Sequence, residues 1–328
     1  MVQIKNWISK NVVIVVLCML CIGFGIATPI FFTVKNIMNI LSQMCINALL
    51  ASGLVYVIIL GGIDISVGSI VGLSGVLASW IGLHFFPNMG IFTAILVSVG
   101  IGLVVGATIG AVNGIMIAKF KVVPMIATLA MLSVARGIAY IISGGQPVYG
   151  LPNSFAFLGA GRLFKTPEHP NGLIPVIVIF TIIIVCIMHI LLSRTVFGRH
   201  VYACGSNPNV AHLSGINVKK ITFICHVLCG ITAAMGGIAM ASKLQNGQPS
   251  GGESYEMFAI ASTVLGGTSL TGGSGSVARA MIGAAVIAVI NNGMNLMQIN
   301  SYWQKVVIGT IILCAVIMDM AQQNKGKK

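Results

Sequence analysis

The chain has 328 residues, 57% of them hydrophobic and 7% charged, with a mean hydropathy of +1.01. That leaves too little polar surface for a soluble globular protein of this length and makes a bilayer the expected solvent. The formal charge of +13 does not point to nucleic acid, because the basic residues lie between apolar runs instead of clustering on one face with aromatics.

At roughly 20 apolar residues per spanning helix, the sequence supplies about ten spans and nothing for a separate soluble domain. An all-α polytopic membrane protein with one domain over residues 1–328 is expected. Apolar runs bounded by breakers predict spans near 11–30, 44–60, 65–86, 91–118, 122–143, 173–193, 220–242, 256–269, 277–298 and 303–320, the eighth being short. The first follows Lys5 and Lys10 with no small-x-small cleavage site after it, so it reads as a retained span and not as a signal peptide.

An even span count puts both termini on one side, and the basic residues choose which. With both termini inside, Lys5, Lys10, Lys119, Lys121, Arg194, Arg199, Lys219, Lys220, Arg279, Lys325, Lys327 and Lys328 are cytoplasmic. Only Lys35, Arg162, Lys165, Lys243 and Lys305 then lie outside, and Arg136 falls within the fifth span. This N-in/C-in arrangement leaves Glu168, Glu253 and Glu256 outside, puts Asp319 at the inner end of the last span, and leaves Asp64 near membrane depth.

The run from Leu60 through Gly61, Gly62, Asp64 and Ser66 to Ser69 interrupts an otherwise continuous hydrophobic pair, and Leu265 to Ser274 does so again at an ungapped offset of 205. Asn113-Gly114 is echoed by Asn292-Gly293 at an offset of 179. Paired glycine-rich interruptions predict broken or re-entrant helices in two duplicated halves, the first with an extra helix; such backbone is tolerated only where it is buried in protein or lines a cavity. Asp64, Ser66, Ser69, Thr268, Ser269 and Thr271 are therefore candidates for the substrate pathway. Asp64 either caps the helix that follows or takes part in transport, since a carboxylate facing lipid is costly. Asn113 and Asn292 join the candidates, because intramembrane amides either bridge helices or face a polar solute, as do Asn291, Asn295 and Gln298. Arg136 is expected to reach the external interface or to pack.

Residues 266–275 are glycine-rich but contain no lysine, so they form no Walker phosphate loop. Energy for pumping would have to come from a partner. Cys18, Cys21, Cys45, Cys186, Cys225, Cys229 and Cys314 lie in apolar runs and read as buried small hydrophobes; no His or acidic co-ligands accompany them at metal spacing. Between the sixth and seventh spans, Asn207 to Ser214 predicts a short helix with Asn207 as its cap, Pro208 at its first position and Gly215 just past its end. Such a helix is too short to stand alone and should be docked.

These motifs together resemble the ribose-type monosaccharide permeases, membrane subunits of binding-protein-dependent ATP-binding-cassette importers. The resemblance rests on GGIDISVGS at 61–69, NGIMIAKFKVVPMIATLAMLSVARGIA at 113–139, GRHVYACGSNPNVAHLSGINV at 198–218, GQPSGGESYEMFAIASTVLGGTSLTGGSGS at 247–276 and NNGMNL at 291–296. It implies a permease that binds no cofactor itself and pairs with a second copy or a paralogue in a bacterial inner membrane. An ATPase subunit holding ATP and Mg at the cytoplasmic face and an extracytoplasmic sugar-binding protein would complete it, with a ribose-like sugar or polyol as cargo. The resemblance also makes Gly198, Arg199, Gly205, Asn207, Ala211, His212, Gly215 and Ile216 the ATPase-coupling residues, with Ala211, Gly215 and Ile216 in a cleft of the ATPase. His212 stands where the family usually has alanine, and Arg279-Ala280 where it commonly has Gly-Thr. The competing class is a stand-alone secondary transporter or channel, which would need its own embedded coupling groups; Asp64 and Arg136 are nearly alone. An intramembrane protease would need paired aspartates or HExxH, and neither is present.

Overall fold

A computed structural model describes residues 12–164 and 172–326. Lys5, Lys10, Lys165, Glu168, Lys327 and Lys328 lie outside the described residues, as do the side chains of Asp319 and Lys325. In chain order the helices are α1 (Val12–Ala27), α2 (Val34–Ile59), α3 (Val67–Phe85), α4 (Ile91–Ala118) and α5 (Pro124–Ser143). A 3-10 turn (Asn153–Ala156), the short α6 (Phe157–Ala160) and a two-residue hairpin, β1 (Arg162–Leu163) with antiparallel β2 (Ile174–Pro175), follow. The remainder is α7 (Val176–Arg194), α8 (Val196–Ser206), α9 (Pro208–Leu213), α10 (Val218–Leu244), α11 (Tyr255–Leu265), α12 (Val277–Leu296) and α13 (Ser301–Gly326).

Seven of these, α2, α3, α4, α5, α7, α10 and α12, are long and apolar enough to cross a bilayer. The chain is thus an all-α polytopic membrane protein. Two predicted spans need correction. The second begins at Val34, ten residues before the predicted start, because Asn36, Asn39, Ser42, Gln43 and Asn47 dilute its hydropathy. Part of that polarity is spent inside the protein, where Asn36 and Asn292 exchange reciprocal amide hydrogen bonds at 3.0 and 2.9 Å. The eighth shrinks to the 11 residues of α11, about 16 Å of helix and half a hydrocarbon core.

The core is organised around α2, whose residues from Leu49 to Ile59 are almost wholly inaccessible. α10 packs beside it and against α4 along a stripe the sequence reading did not use: Gly102, Gly106, Gly110 and Gly114, one per turn. A Cβ on Gly106 would lie 2.6 Å from Ile231 Cα, and one on Gly110 2.7 Å from Val227 Cα. With lipid as apolar as leucine, this close backbone approach is what holds two such helices together.

Candidate functional site: two helix breaks against the α8–α9 segment

Both glycine clusters end a helix in the same way. After α2, the Gly62 N–H bonds Val57 O at 3.0 Å and the Gly61 N–H bonds Ile58 O at 2.8 Å, with Gly61 at φ +78. After α11, the Thr268 N–H bonds Thr263 O at 3.1 Å and the Gly267 N–H bonds Val264 O at 2.8 Å, with Gly267 at φ +81. These are paired Schellman caps, and glycine serves at the left-handed position because it lacks the Cβ penalty. The structural correspondence is therefore Gly61 with Gly267, an offset of 206, one residue from the ungapped alignment at 205. The breaks also differ in length, residues 60–66 against 266–276.

Asp64 is fully buried in the first break. Its Oδ1 accepts from the Ser66 N–H at 2.9 Å and the Ser66 hydroxyl at 2.5 Å, in the turn that leads into α3. Asn113 of α4 donates to Ser66 Oγ at 2.9 Å and reaches Asp64 Oδ2 at 3.4 Å. Ser69 donates to Ser66 O at 2.8 Å, and Thr128 of α5 bonds Ile63 O at 3.3 Å. Ser66, Ser69 and Asn113 are as inaccessible as the carboxylate, so the knot locks α3, α4 and α5 to the break.

The second break closes onto the first. The Gly273 N–H donates to Ile59 O at 2.8 Å, so the last carbonyl of α2 is bonded by the opposite break. Within the loop, Ser269 Oγ meets Thr271 Oγ1 at 3.0 Å and the Ser269 N–H bonds Ser274 O at 3.1 Å. Thr268 and Ser269 are buried while Thr271 is exposed. Asn292 lies elsewhere, in its pairing with Asn36, so its partners differ from those of Asn113 despite the sequence echo.

α8 seals this junction. The Tyr202 hydroxyl donates to Gly275 O at 2.8 Å, and Gly205 abuts the Ile59 carbonyl, where a Cβ would also come within 2.9 Å of the Gly273 nitrogen. Burial pushes the Tyr202 phenol up from its ordinary pKa, keeping it a donor at neutral pH. Gly198 is buried where α7 turns into α8, while Arg199 is exposed. α9 forms as predicted: the Asn207 side chain accepts from the N–H groups of Asn209 and Val210, Pro208 opens the helix, and Gly215 at φ +82 closes it. The Gly215 N–H bonds His212 O and the Ile216 N–H bonds Ala211 O, each at 3.0 Å.

Ala211 departs from expectation. It is 3% exposed and packs within this chain's own core beside Val201, Cys204, Ile221 and Cys225, so it does not offer itself to a cleft in another subunit. Its burial follows from the Schellman geometry, which folds Ile216 back over the turn carrying Ala211. The outward side of α9 is instead Val210, His212 and Leu213, with Leu213 86% exposed.

At the other end of the bundle, Arg136 packs against backbone carbonyls. Its guanidinium donates to Pro249 O at 2.6 Å, Gly251 O at 2.7 Å and Gly68 O at 3.2 Å, tying the α10–α11 loop to the first turn of α3. Cys18, Cys186 and Cys314 are exposed on helix surfaces and not buried as expected, since apolar runs do not reveal which face meets lipid; Cys45, Cys225 and Cys229 are buried.

A helical membrane fold with two capped breaks meeting one amphipathic loop defines a polytopic permease-like protein. Residues 36–316 match the family described as branched-chain amino acid transport system, permease component. Over 323 residues the chain is 39% identical to the ribose import permease protein of Escherichia coli, covering 97% of this chain and 96% of that one. It is also similar to the D-allose transport system permease protein of Escherichia coli, 35% identical over 90% of this chain and 87% of that one, and to the L-arabinose transport system permease protein, 34% identical over 96% and 91%. The chain belongs to this permease family. No solved structure matches it.

Proposed function

We propose that this chain is the membrane-spanning subunit of an ATP-driven importer for a ribose-like monosaccharide or related polyol. Sugar is named by the relatives that match nearly end to end, in preference to the branched-chain amino acids of the broader family description. Ten membrane segments, the eighth a half-length helix continued by the second break, with both termini inside and a bacterial inner membrane, complete the reading, supported by the distribution of lysine and arginine. The chain works as a dimer with a second copy or a paralogue. A separate ATPase carries ATP and Mg, and an extracytoplasmic protein delivers the sugar.

The observation that carries the reading is the α8 junction. A loop segment with no spanning role of its own abuts the carbonyl end of α2, and its Tyr202 holds the backbone of the second break. Force on α9 thereby reaches both helix breaks without a flexible intermediary, which is what a transporter driven from its cytoplasmic face requires. Asp64, Ser66, Ser69, Asn113, Thr268, Ser269 and Thr271 act in this reading as the closed inner end of the path, and Arg199, Val210, His212 and Leu213 as the surface that meets the ATPase.

The test is reconstitution with the ATPase and binding protein into liposomes, scoring sugar uptake and sugar-stimulated ATP hydrolysis. The complex takes up sugar only with ATP, and the permease alone hydrolyses none. Leu213→Asp weakens ATPase association at least tenfold, because it places a charge in an apolar contact. Uptake by the permease alone down a sugar or ion gradient would establish the secondary transporter or channel instead, and unchanged association of Leu213→Asp would place the ATPase elsewhere.

A further inference from the structure

At the end of the bundle opposite α9, the helices α2, α10, α11, α12 and α13 border a partly open cleft of about 360 Å³. That volume lies at the lower end of the range for small-molecule sites. The wall changes character along the helices. Towards the end of the bundle it carries Gln43 of α2, Lys243 of α10, Asn295 of α12, and Gln304 and Lys305 of α13. Deeper, it carries Ile46 of α2, Phe258 of α11, Ala284 and Ile287 of α12, and Ile308 of α13. From Asn295 to Ala284 the wall runs about 16 Å along α12 (11 residues at 1.5 Å each). Asn47 and Asn291 lie between the two zones, but their amide oxygens are inaccessible and offer the cleft no acceptor.

The accessible polar chemistry is cationic. Lys243 spends one N–H on Ser42 O at 3.3 Å and has two more, and Lys305 is exposed. No carboxylate lines the cleft among the described residues. Glu256, next to the lining Tyr255, has its carboxylate packed against Gly68 of α3. The Gln304 Nε2 donates to Asn295 Oδ1 at 2.7 Å, which joins α12 to α13 and occupies one acceptor of the mouth. Two like charges on one small cleft repel each other until an anion stands between them. The level of these lysines in a bilayer is marked by Tyr302 and Trp303, 74% and 61% exposed at the start of α13. Amphipathic aromatic rings collect at the headgroup level, so the polar zone lies at that level and the apolar zone below it, in the hydrocarbon.

We propose that this cleft holds an anionic phospholipid, with its phosphodiester between the Lys243 and Lys305 ammonium groups and the upper carbons of one acyl chain along Ile46, Ile287 and Ile308. A neutral sugar leaves the two cations unmatched, and a free phosphate leaves the apolar zone unfilled. A phospholipid answers both. The cleft takes the headgroup and the start of one chain, and the rest of the lipid stays in the bilayer. With both termini inside, the lipid belongs to the external leaflet. The inference needs only that the chain spans a membrane, and it is independent of the cargo.

The probe is dioleoyl phosphatidylglycerol, offered to the full-length permease in mild detergent and read by native mass spectrometry. Phosphatidylethanolamine with the same chains, inorganic phosphate and D-ribose are offered in parallel. The parent retains phosphatidylglycerol at least tenfold more than phosphatidylethanolamine at equal concentration. Lys305→Gln, at an exposed position, lowers phosphatidylglycerol retention about fivefold, and adding Lys243→Gln brings the two lipids within twofold of each other. Lys35→Gln, which removes an exposed lysine at the same end of the bundle but outside the cleft, leaves the parent preference within twofold. Phosphatidylglycerol with a photoreactive diazirine in its acyl chain crosslinks to the peptides carrying Ile287 or Ile308; this measurement and Lys305→Gln stand if the double variant fails to assemble. Equal retention of the two lipids by the parent, a preference untouched by Lys305→Gln, or crosslinks confined to other helices overturns the site. Displacement of the lipid by inorganic phosphate assigns the cleft to a free anion, and displacement by D-ribose assigns it to the solute; either overturns the lipid. All of these outcomes leave the importer reading standing, whereas a complex that moves no sugar overturns that reading and leaves the lipid result intact.

Discussion

Gly272 tests whether the two helix breaks form one mechanical unit. It has φ +89, and a Cβ added there would lie 2.8 Å from Ile59 O, 2.9 Å from Gly205 O and 3.1 Å from Gly61 N. All three neighbours are backbone atoms, one each from the α2 terminus, from α8 and from the first break, so none can rotate away. Gly272→Ala forces a left-handed alanine, costing about 1–2 kcal/mol, and overfills a closed contact, costing about 1–3 kcal/mol more. The expected loss of about 2–5 kcal/mol also stretches the neighbouring bond from the Gly273 N–H to Ile59 O. Gly137→Ala is the control: it sits mid-helix in α5 with nothing within 4 Å of the added Cβ, and replacing a helical glycine there is worth roughly 0.5–1 kcal/mol in the other direction. Thermal unfolding in detergent, followed by size-exclusion chromatography, reads the difference. The midpoint of Gly272→Ala falls by about 3–7 °C while that of Gly137→Ala holds or rises. Superimposable curves for the two variants would refute the idea that the breaks and α8 are locked backbone to backbone.

Arg136→Met removes three donors from Pro249, Gly251 and Gly68; at a conservative net of about 3 kcal/mol for a charged group leaving buried carbonyls unpaired, amide exchange in residues 246–254 accelerates by roughly a hundredfold, and exchange at the parent rate would contradict the latch. Cys204, buried in α8, has its thiol pushed above the usual range by desolvation. A raised pKa means less thiolate at any given pH, so alkylation in the native permease at pH 8 lags a free thiol and climbs only above the ordinary thiol range near 8.5; parity with glutathione at pH 8 would contradict its burial.

Much of this fold is written in hydropathy alone. The bounds of α4, Ile91–Ala118, coincide with the apolar run, because no amide or charged side chain interrupts that run before Asn113. The same reading fails on α2, where five amide and hydroxyl residues make the N-terminal part look like a loop. Two of those side chains are held by partners more than two hundred residues away, Asn36 by Asn292 and Asn47 by Ser262; no local window contains that information. The facing polar stripes of α2 and α12 were missed for a related reason. Asn47 with Gln43 on α2, and Asn291 with Asn295 on α12, are one-turn pairs that each mark a polar stripe on an otherwise apolar helix, but only the packing shows that the stripes face one another.

The misplacement of Ala211 has a different cause. Small residues in a loop segment read as a socket for a partner, yet this one is small because the chain folds over it. Asn207 fixes the start of α9 and Gly215 its end, and between two such caps only about one and a half turns remain, enough to bury a single residue. That residue is Ala211, and Val210 and Leu213, to either side of it, are turned outward by the helical period. A cap at each end therefore both hides the alanine and presents the leucine. Substituting Ala211 would disturb Val201, Cys204 and Ile221 beneath it, so a loss of coupling in an Ala211 variant reports on the α8–α9 fold. Leu213, with 86% of its surface free, can be changed with that fold intact, which makes it the position from which contact with the ATPase can be read.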